Sequence, residues 1–513
     1  MSADHDLAVV GAGPAGLAAA TCAAGLGLDV VLLDEQPAPG GRVYRNVEGL
    51  AEARDHDLRL LGARTRAGLS LAASFRASGA RYRPETAVWM IEADGGSGST
   101  LGLCDAAGAA LLSARRVVVA AGAMERAVPI PGWTLPGVMT VGAAQTLLKA
   151  SALVPETPPV IAGSGPLVLL YAAQLLAIGG AIAALLDTTP PGNRVKALPR
   201  LPGLLSHLGA LRQGLSWQRA LKAAGVPVFK GAREIEATGD GRVEAVEFLS
   251  GGRRRRIETR LLLLHEGVVP DPHLAMSAGC AIAWDEDGWY WRTVTDACGA
   301  SSVETVAVVG DCAGIGGAEA AAHGGRLAGL DAARRLGAID AATRERLAGP
   351  ERRALARLSG LRRFLDTLYR PRPEILTPED PSVMVCRCEE VSVAALRRAV
   401  ALGCQGPNQA KAFTRCGMGP CQGRLCGLTA AAVIAKARGT PMAEVGHQRV
   451  RPPIKPITLG ELAALDPARL GKMAPAGDTG HRDTGGARQQ PVTPRGSAAD
   501  RPRAGRPRAG PRA

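Results

Sequence analysis

Two sets of residues have the type and spacing to do chemistry. The first is Gly11-Ala12-Gly13-Pro14-Ala15-Gly16, which follows the apolar run Leu7 to Val10 and opens an Ala/Leu-rich helical pattern. Gly11 permits a tight turn, Gly13 lets the backbone approach a pyrophosphate, and Gly16 lets helix and sheet pack closely, so phosphates meet a helix N-terminus. A second apolar run, Val30 to Leu33, ends in Asp34-Glu35, and Glu35, 24 positions past Gly11, is placed to accept from ribose hydroxyls. Gln36, Gly41 and Arg42 lie in the turn-rich stretch after it, beside a bound dinucleotide. The second set is a cysteine cluster. Six of the eleven cysteines fall between Cys386 and Cys426, with Cys386-Arg387-Cys388 separated by 27 residues from Cys416 and a further four from Cys421. Four thiolates hold a tetrahedral zinc or a [2Fe-2S] cluster, and the tight CxC spacing disfavours an ordinary zinc ribbon. Cys404 and Cys426 read as buried structural cysteines, with an exchange of one of them for a ligand left open.

The elements that must position these groups repeat. Val160 to Ala162, then Gly163-Ser164-Gly165-Pro166-Leu167-Val168, a helix to Ala177 and a strand ending in Asp187 reproduce the first unit, Asp187 again 24 positions after its first glycine. Val168 replaces the third glycine, so this unit either binds NAD(P) through Gly163, Gly165 and Asp187 or keeps only the architecture. Arg116 to Ala123 describes a buried parallel strand whose small-residue end, at Gly122, lies close to something bulky. Val306 to Asp311 is a buried strand ending at Gly310 and a carboxylate, followed by a helix over Ile315 to Leu330, where a flavin's ribityl hydroxyls and phosphate would be held. The first domain is then discontinuous. The expected fold is α/β: two dinucleotide-binding (Rossmann-like) domains, the first formed by residues 1–150 and 290–350 and the second by 151–289. A linker (351–378), a small helical cysteine domain (379–465) and a disordered basic tail (473–513) follow.

A chain of 513 residues suits about three domains. The net charge of +14 does not call for a nucleic-acid partner, because from residue 473 onward eight Arg against three Asp place +5 of it in a Pro/Gly/Arg-rich tail. An acidic N-terminus without a leader pattern indicates the cytoplasm. Val160 to Leu186 is apolar enough to span a membrane, yet its internal Gly and Pro read better as strand, turn, helix and strand, so no transmembrane segment is expected. Weak strand signals occur at Ala87 to Glu92 and Leu101 to Leu112, and Arg253 to Arg256 reads as an exposed hairpin turn.

The motifs GAGPAGLAAA, DEQPAPGGRVYR, VVVAAGAMERAVPIPGWTLPGV, VAVVGDCAGIGGAEAA and VCRCEEV with TRCGMGPCQGRLC resemble the flavin-containing α (A) subunit of bacterial amine and imino-acid dehydrogenases. That family includes subunits of hydroxyproline dehydrogenase, opine oxidase and hydrogen cyanide synthase, and the resemblance covers about residues 6 to 465. The cysteine segment separately resembles the bacterioferritin-associated ferredoxin domain. The resemblance implies FAD on Gly11, Gly13, Gly16, Glu35, Gly122 and Asp311, and a [2Fe-2S] cluster on Cys386, Cys388, Cys416 and Cys421. It also implies an electron-relaying subunit beside a partner flavoprotein that oxidises an amino or imino acid. Arg42 stands where the family more often has Gln. The competing expectation is a self-sufficient NAD(P)H-dependent flavin reductase passing electrons through its cluster. Neither nucleotide unit contains a CxxC or CxxxxC pair, which leaves a disulfide-reductase mechanism without its thiols.

Overall fold

The computed structural model describes residues 3–52, 65–205 and 207–465. The tail expected at 473–513 lies outside these residues. Among the described residues the two largest sheets are one mixed and one parallel. In the first, the neighbours are Arg81–Arg83, Val30–Leu33, His5–Val10 and Gly108–Val119, with Ser99–Asp105 and Ala87–Ala93 adding antiparallel strands beyond. Val306–Val308 joins this sheet in parallel with the Val117 to Val119 end of the long strand. Its last strand therefore arrives only after the second sheet is complete.

Leu7, Ala8 and Val9 are fully buried, as a central strand covered on both faces requires. The helix Pro14–Ala24 buries eight of its eleven residues and packs against the helix Ala318–Arg335. The approach is so close that a Cβ on Gly325 would stand 2.0 Å from the Ala15 carbonyl oxygen. The expected strand Leu101 to Leu112 divides into two, Ser99–Asp105 and Gly108–Val119, joined by a tight turn at Ala106-Ala107. The β-branched run at Arg116 to Val119 is thus the end of a twelve-residue strand.

The second sheet runs Val228–Lys230, Ala184–Asp187, Val160–Ser164, Leu262–Glu266 and Val138–Thr140, all parallel. The apolar stretch from Val160 is strand, helix Pro166–Ala177 and strand. No helix among the described residues is long and apolar enough to cross a membrane. The arginine run differs from expectation. Gly251 and Gly252, at φ +59° and +74°, make the two-residue turn, and all four arginines lie in the strand Arg253–Glu258 at the edge of a three-stranded sheet. Two consecutive left-handed residues suit glycine, and charge on an edge strand opposes unwanted pairing.

The stretch expected as a linker is helical through Leu368, as part of Ala341–Leu368, whose N-cap Asp340 accepts from the Thr343 amide at 2.7 Å. The cysteine-bearing region then folds around helices Val393–Ala401, Pro407–Thr414 and Gly427–Arg438 with its own apolar core.

Candidate functional site: a dinucleotide cradle and a thiol cluster

The loop after the first strand is shaped for close backbone approach. Gly11 has φ +102°, and a Cβ on Gly16 would lie 1.8 Å from the Gly11 carbonyl oxygen, so only hydrogen fits where helix meets loop. Gly41, at φ +61°, comes up against Gly13, where a Cβ on it would stand 2.8 Å from the Gly13 Cα. Pro14 and Ala15 open the helix, whose N-cap Gly13 makes no side-chain capping bond, so first-turn amides face the loop region where an anion is favoured.

The acid at the second strand is Asp34. It follows Leu33, which pairs with Val10, and the Gly11 amide donates to the Leu33 carbonyl at 2.8 Å. Asp34 therefore stands opposite Gly11 as Asp187 stands opposite Gly163 in the second sheet. Each carboxylate accepts from the amide two residues on, Gln36 N at 2.7 Å and Thr189 N at 3.0 Å. Asp34 also accepts from the Ala12 amide. Burial raises its carboxyl above the usual range, against the pull of those two amides and of Arg45 and Lys455. Glu35, one residue further, is half exposed and paired with Lys455. The sequence signal for Asp34 was present, since it is the first polar residue after the strand.

Other elements converge here. Arg42 donates to the Ala123 carbonyl, which brings the Gly41 turn onto the strand end at Gly122, itself at φ +77°. Gly310 sits at φ +74° with its Cα so near helix Pro14–Ala24 that a Cβ would meet Ala15 Cβ at 2.8 Å. Asp311 accepts from Gly316 and Gly317 amides at 2.8 and 2.9 Å. It thereby delays the following helix to Ala318. A cavity of about 210 Å³ beside Asp311 is lined by Thr295 to Gly299, Gly310, Gly314, Gly324 and Leu355, and by no residue of the Gly11 loop. Arg45 Nε is buried without a hydrogen-bond partner, a donor suited to an anion. The cradle and this donor fit a dinucleotide.

In the second unit the position of the third glycine is filled. Val168 is 2% exposed within an apolar core containing Tyr171 and Leu175. A Cβ on Gly163 would still lie 2.0 Å from the His265 carbonyl oxygen. Ser164 Oγ donates to Glu266 Oε2 at 3.3 Å, and His265 Nδ1 pairs with Glu125 Oε1 at 2.7 Å. Burial raises the Glu266 carboxyl. Neither Glu125 nor Glu266 stood out in the sequence, because their role depends on which strand ends meet.

Five of the six clustered cysteines come together. Cys386, Cys416 and Cys426 are buried with their sulfurs within 4.8 Å of one another, and Cys388 Sγ lies 3.9 Å from Cys421 Sγ. Hydrogen bonds from Cys416 and Cys426 lower the Cys386 thiol strongly, against its burial, while hydrogen bonding to Cys386 and burial hold the other two thiols up. Cys426, expected to be merely structural, belongs to the gathering. Cys404 points away, to the Gly406 carbonyl at 3.3 Å. A purely sulfur donor set fits zinc or iron. Outside this region Cys312 is fully buried, and burial pushes its thiol up to about 12.

The chain is similar to known proteins. The pyridine nucleotide-disulphide oxidoreductase family model matches residues 5–342, and the sarcosine oxidase A3 domain model matches residues 381–466. The A subunit of opine oxidase from Rhizobium meliloti (strain 1021) is 43% identical over 90% of this chain and 98% of its own length. Hydrogen cyanide synthase subunit HcnB of Pseudomonas aeruginosa is 34% identical over 88% of this chain and 96% of its own. Among solved structures, the L-proline dehydrogenase from P. horikoshii superposes with a TM-score of 0.64 at 20% identity, over 89% of this chain and 79% of that one, a likeness of fold.

Proposed function

The chain belongs to the pyridine nucleotide-disulphide oxidoreductase family and is a relative of the opine oxidase A chain. From that premise we propose that this flavin-dependent oxidoreductase relays electrons within a hetero-oligomeric amino- or imino-acid dehydrogenase. A partner flavoprotein subunit would oxidise the substrate, of the hydroxyproline, opine or glycine type. The relatives bear the names of subunits, which supports a heteromer.

In this reading FAD is held by the Gly11, Gly13, Gly16 loop with Pro14 and Ala15, by Gly41 and Arg42, and by Gly122, Gly310 and Asp311. The acid beside the ribose is Asp34, with Glu35 and Gln36 flanking it. A [2Fe-2S] cluster takes four of the five gathered thiolates, Cys386, Cys388, Cys416 and Cys421 being the set favoured by the motif, with Cys426 the alternative member. When bound, a flavin accepts a two-electron equivalent and an iron-sulfur centre passes single electrons. The protein's own part is to bind and insulate. First-turn amides of helix Pro14–Ala24 and Arg45 receive phosphates. Asp311, fixed by two amides, is available to ribityl hydroxyls. The observation that carries the reading is the thiol cluster joined to a dinucleotide cradle whose neighbouring cysteine, Cys312, is a buried high-pKa thiol unsuited to disulfide exchange.

A second reading, a self-sufficient NAD(P)H-dependent flavin reductase, draws on the Gly163, Gly165, Asp187 loop, whose register repeats the first unit. Val168 counts against it. An anaerobic titration of the flavin- and iron-loaded chain decides between them. Bleaching by NADH or NADPH favours the reductase; no bleaching by either, with bleaching restored by substrate once the partner subunit is added, supports the relay.

A further inference from the structure

Residues 447–455 leave the cysteine region and return to the first sheet. Gln448 is 1% exposed and donates to the Gly417 and Gln422 carbonyls at 3.3 and 2.7 Å. The cysteine loop is closed around it, since a Cβ on Gly423 would lie 1.6 Å from its Nε2. Further along, Gln422 donates to the Pro453 carbonyl and Arg424 to the Ile454 carbonyl at 3.3 Å. Both donors lie between Cys421 and Cys426. The Ile454 amide donates to Trp89 O at 3.0 Å, and Val450 and Ile454 are buried in the core beneath the first sheet. The next residue, Lys455, is thereby delivered to the end of the second strand, where its ammonium pairs with Glu35 and attracts Asp34.

We propose that Lys455 is a flavin-binding residue, supplied to the adenosine end of the site by the segment that follows the cysteine region. This rests on the assignment of FAD to the Gly11 loop. Two adjacent carboxylates, Asp34 and Glu35, lie at the end of the second strand, where the ribose of an FAD held on the Gly11 loop would lie beside its dianionic pyrophosphate, and like charges oppose binding. Lys455, paired with Glu35, and Arg45 both draw on the Asp34 carboxylate and offset this charge. Arg45 carries the buried, unpartnered Nε, so the neighbourhood already has a donor waiting for an anion. The backbone before Lys455 is held by residues of the Cys421 to Cys426 loop. The ribose end of the dinucleotide site and the thiol cluster therefore share one fixed strap.

The test uses the full-length chain, stripped of flavin and titrated with FAD, ADP and FMN by fluorescence quenching or competition. Lys455→Met is expected to weaken FAD and ADP by about tenfold or more, the scale of a charge-assisted hydrogen bond, and to leave FMN, which lacks the adenosine half, unchanged. Lys455→Arg, which keeps the charge, is expected to stay within about threefold of the parent. Unaltered FAD affinity in Lys455→Met overturns the proposal, as does equal weakening of FAD and FMN, which would signify general loosening. Failure of the unmodified chain to retain FAD at all would instead overturn the assignment of the Gly11 loop.

Discussion

Gly16→Ala isolates the close approach of helix and loop from every other effect of a glycine. Gly16 lies in the first turn of helix Pro14–Ala24, and its backbone is not in the left-handed region. Alanine would therefore gain about 1 kcal/mol of helix propensity, and any loss must come from contact. The added methyl would sit 1.8 Å from the Gly11 carbonyl oxygen and 3.4 Å from Val9 Cγ1, so helix and loop must separate by more than about 1 Å, since close-packed atoms cannot overlap. Neither side is a flexible side chain. Overpacking of this kind costs about 1–3 kcal/mol, and against rigid backbone the upper end applies, for a net loss of about 2 kcal/mol. The displaced loop is the one offered to the pyrophosphate, so FAD affinity should fall by about tenfold or more, together with the denaturation midpoint. Gly27→Ala is the matched control, because Gly27 has φ +90° and a Cβ added there would meet nothing within 4 Å; it should lower stability through strain while leaving flavin affinity intact. Gly16→Ala with parental flavin affinity and stability would refute the argument.

Further outcomes follow from the site geometry. Cys426→Ser should reduce iron content or shift the visible spectrum of the purified protein, whereas Cys404→Ser should leave both unchanged; the reverse pattern would return Cys426 to a structural role. Arg126 is buried and donates to the Glu266, Trp289 and Gly288 carbonyls at 3.1, 2.8 and 3.1 Å, so Arg126→Met, stranding three acceptors, should cost about 3 kcal/mol in a urea melt. Asp271 is held down at about 2, because His273 and Arg424 outweigh its burial. A carboxylate depressed in the folded state contributes stability that is present above its unfolded value near pH ~4 and lost as pH falls through about 2. Asp271→Asn should thus remove about 2 kcal/mol of acid-labile stability between about pH 4 and 2, measured as the pH dependence of the melting midpoint.

What was legible in the sequence were features set by local pattern. The glycine loop with its flanking strand and helix, the second unit and the cysteine cluster each announce themselves within a short span of chain. What was not legible depends on register and on distant segments meeting. Counting 24 positions from the first glycine selects Glu35 in one unit and Asp187 in the other, but hydrogen bonding aligns Gly11 with Asp34 and Gly163 with Asp187. The two connections differ by one residue, and in a strand one residue reverses the face on which a side chain stands. The arginine run was misplaced for a related reason: two glycines with positive φ already complete the turn, so the charges fall into the strand.

The same logic bears on the thiols. CxC and CxxxxC spacings single out Cys386, Cys388, Cys416 and Cys421, yet the interval from Cys421 to Cys426 is also four residues, so spacing alone cannot separate two overlapping sets. The fold separates Cys404 from the rest and brings Cys426 to Cys386 and Cys416, with Gln448 bonded to the Gly417 and Gln422 carbonyls of the intervening loop. Five sulfurs are then candidates for the four ligand positions of the proposed cluster. Among the three buried together, hydrogen bonds from Cys416 and Cys426 pull the Cys386 thiol down, while hydrogen bonding to Cys386 and burial hold Cys416 and Cys426 up; Cys388 is exposed. On the reading of these sulfurs as a metal site, a bound metal would have to displace the protons that hydrogen bonding to Cys386 and burial keep on Cys416 and Cys426, so iron content in Cys421→Ser and Cys426→Ser separates the set favoured by the motif from the one that includes Cys426.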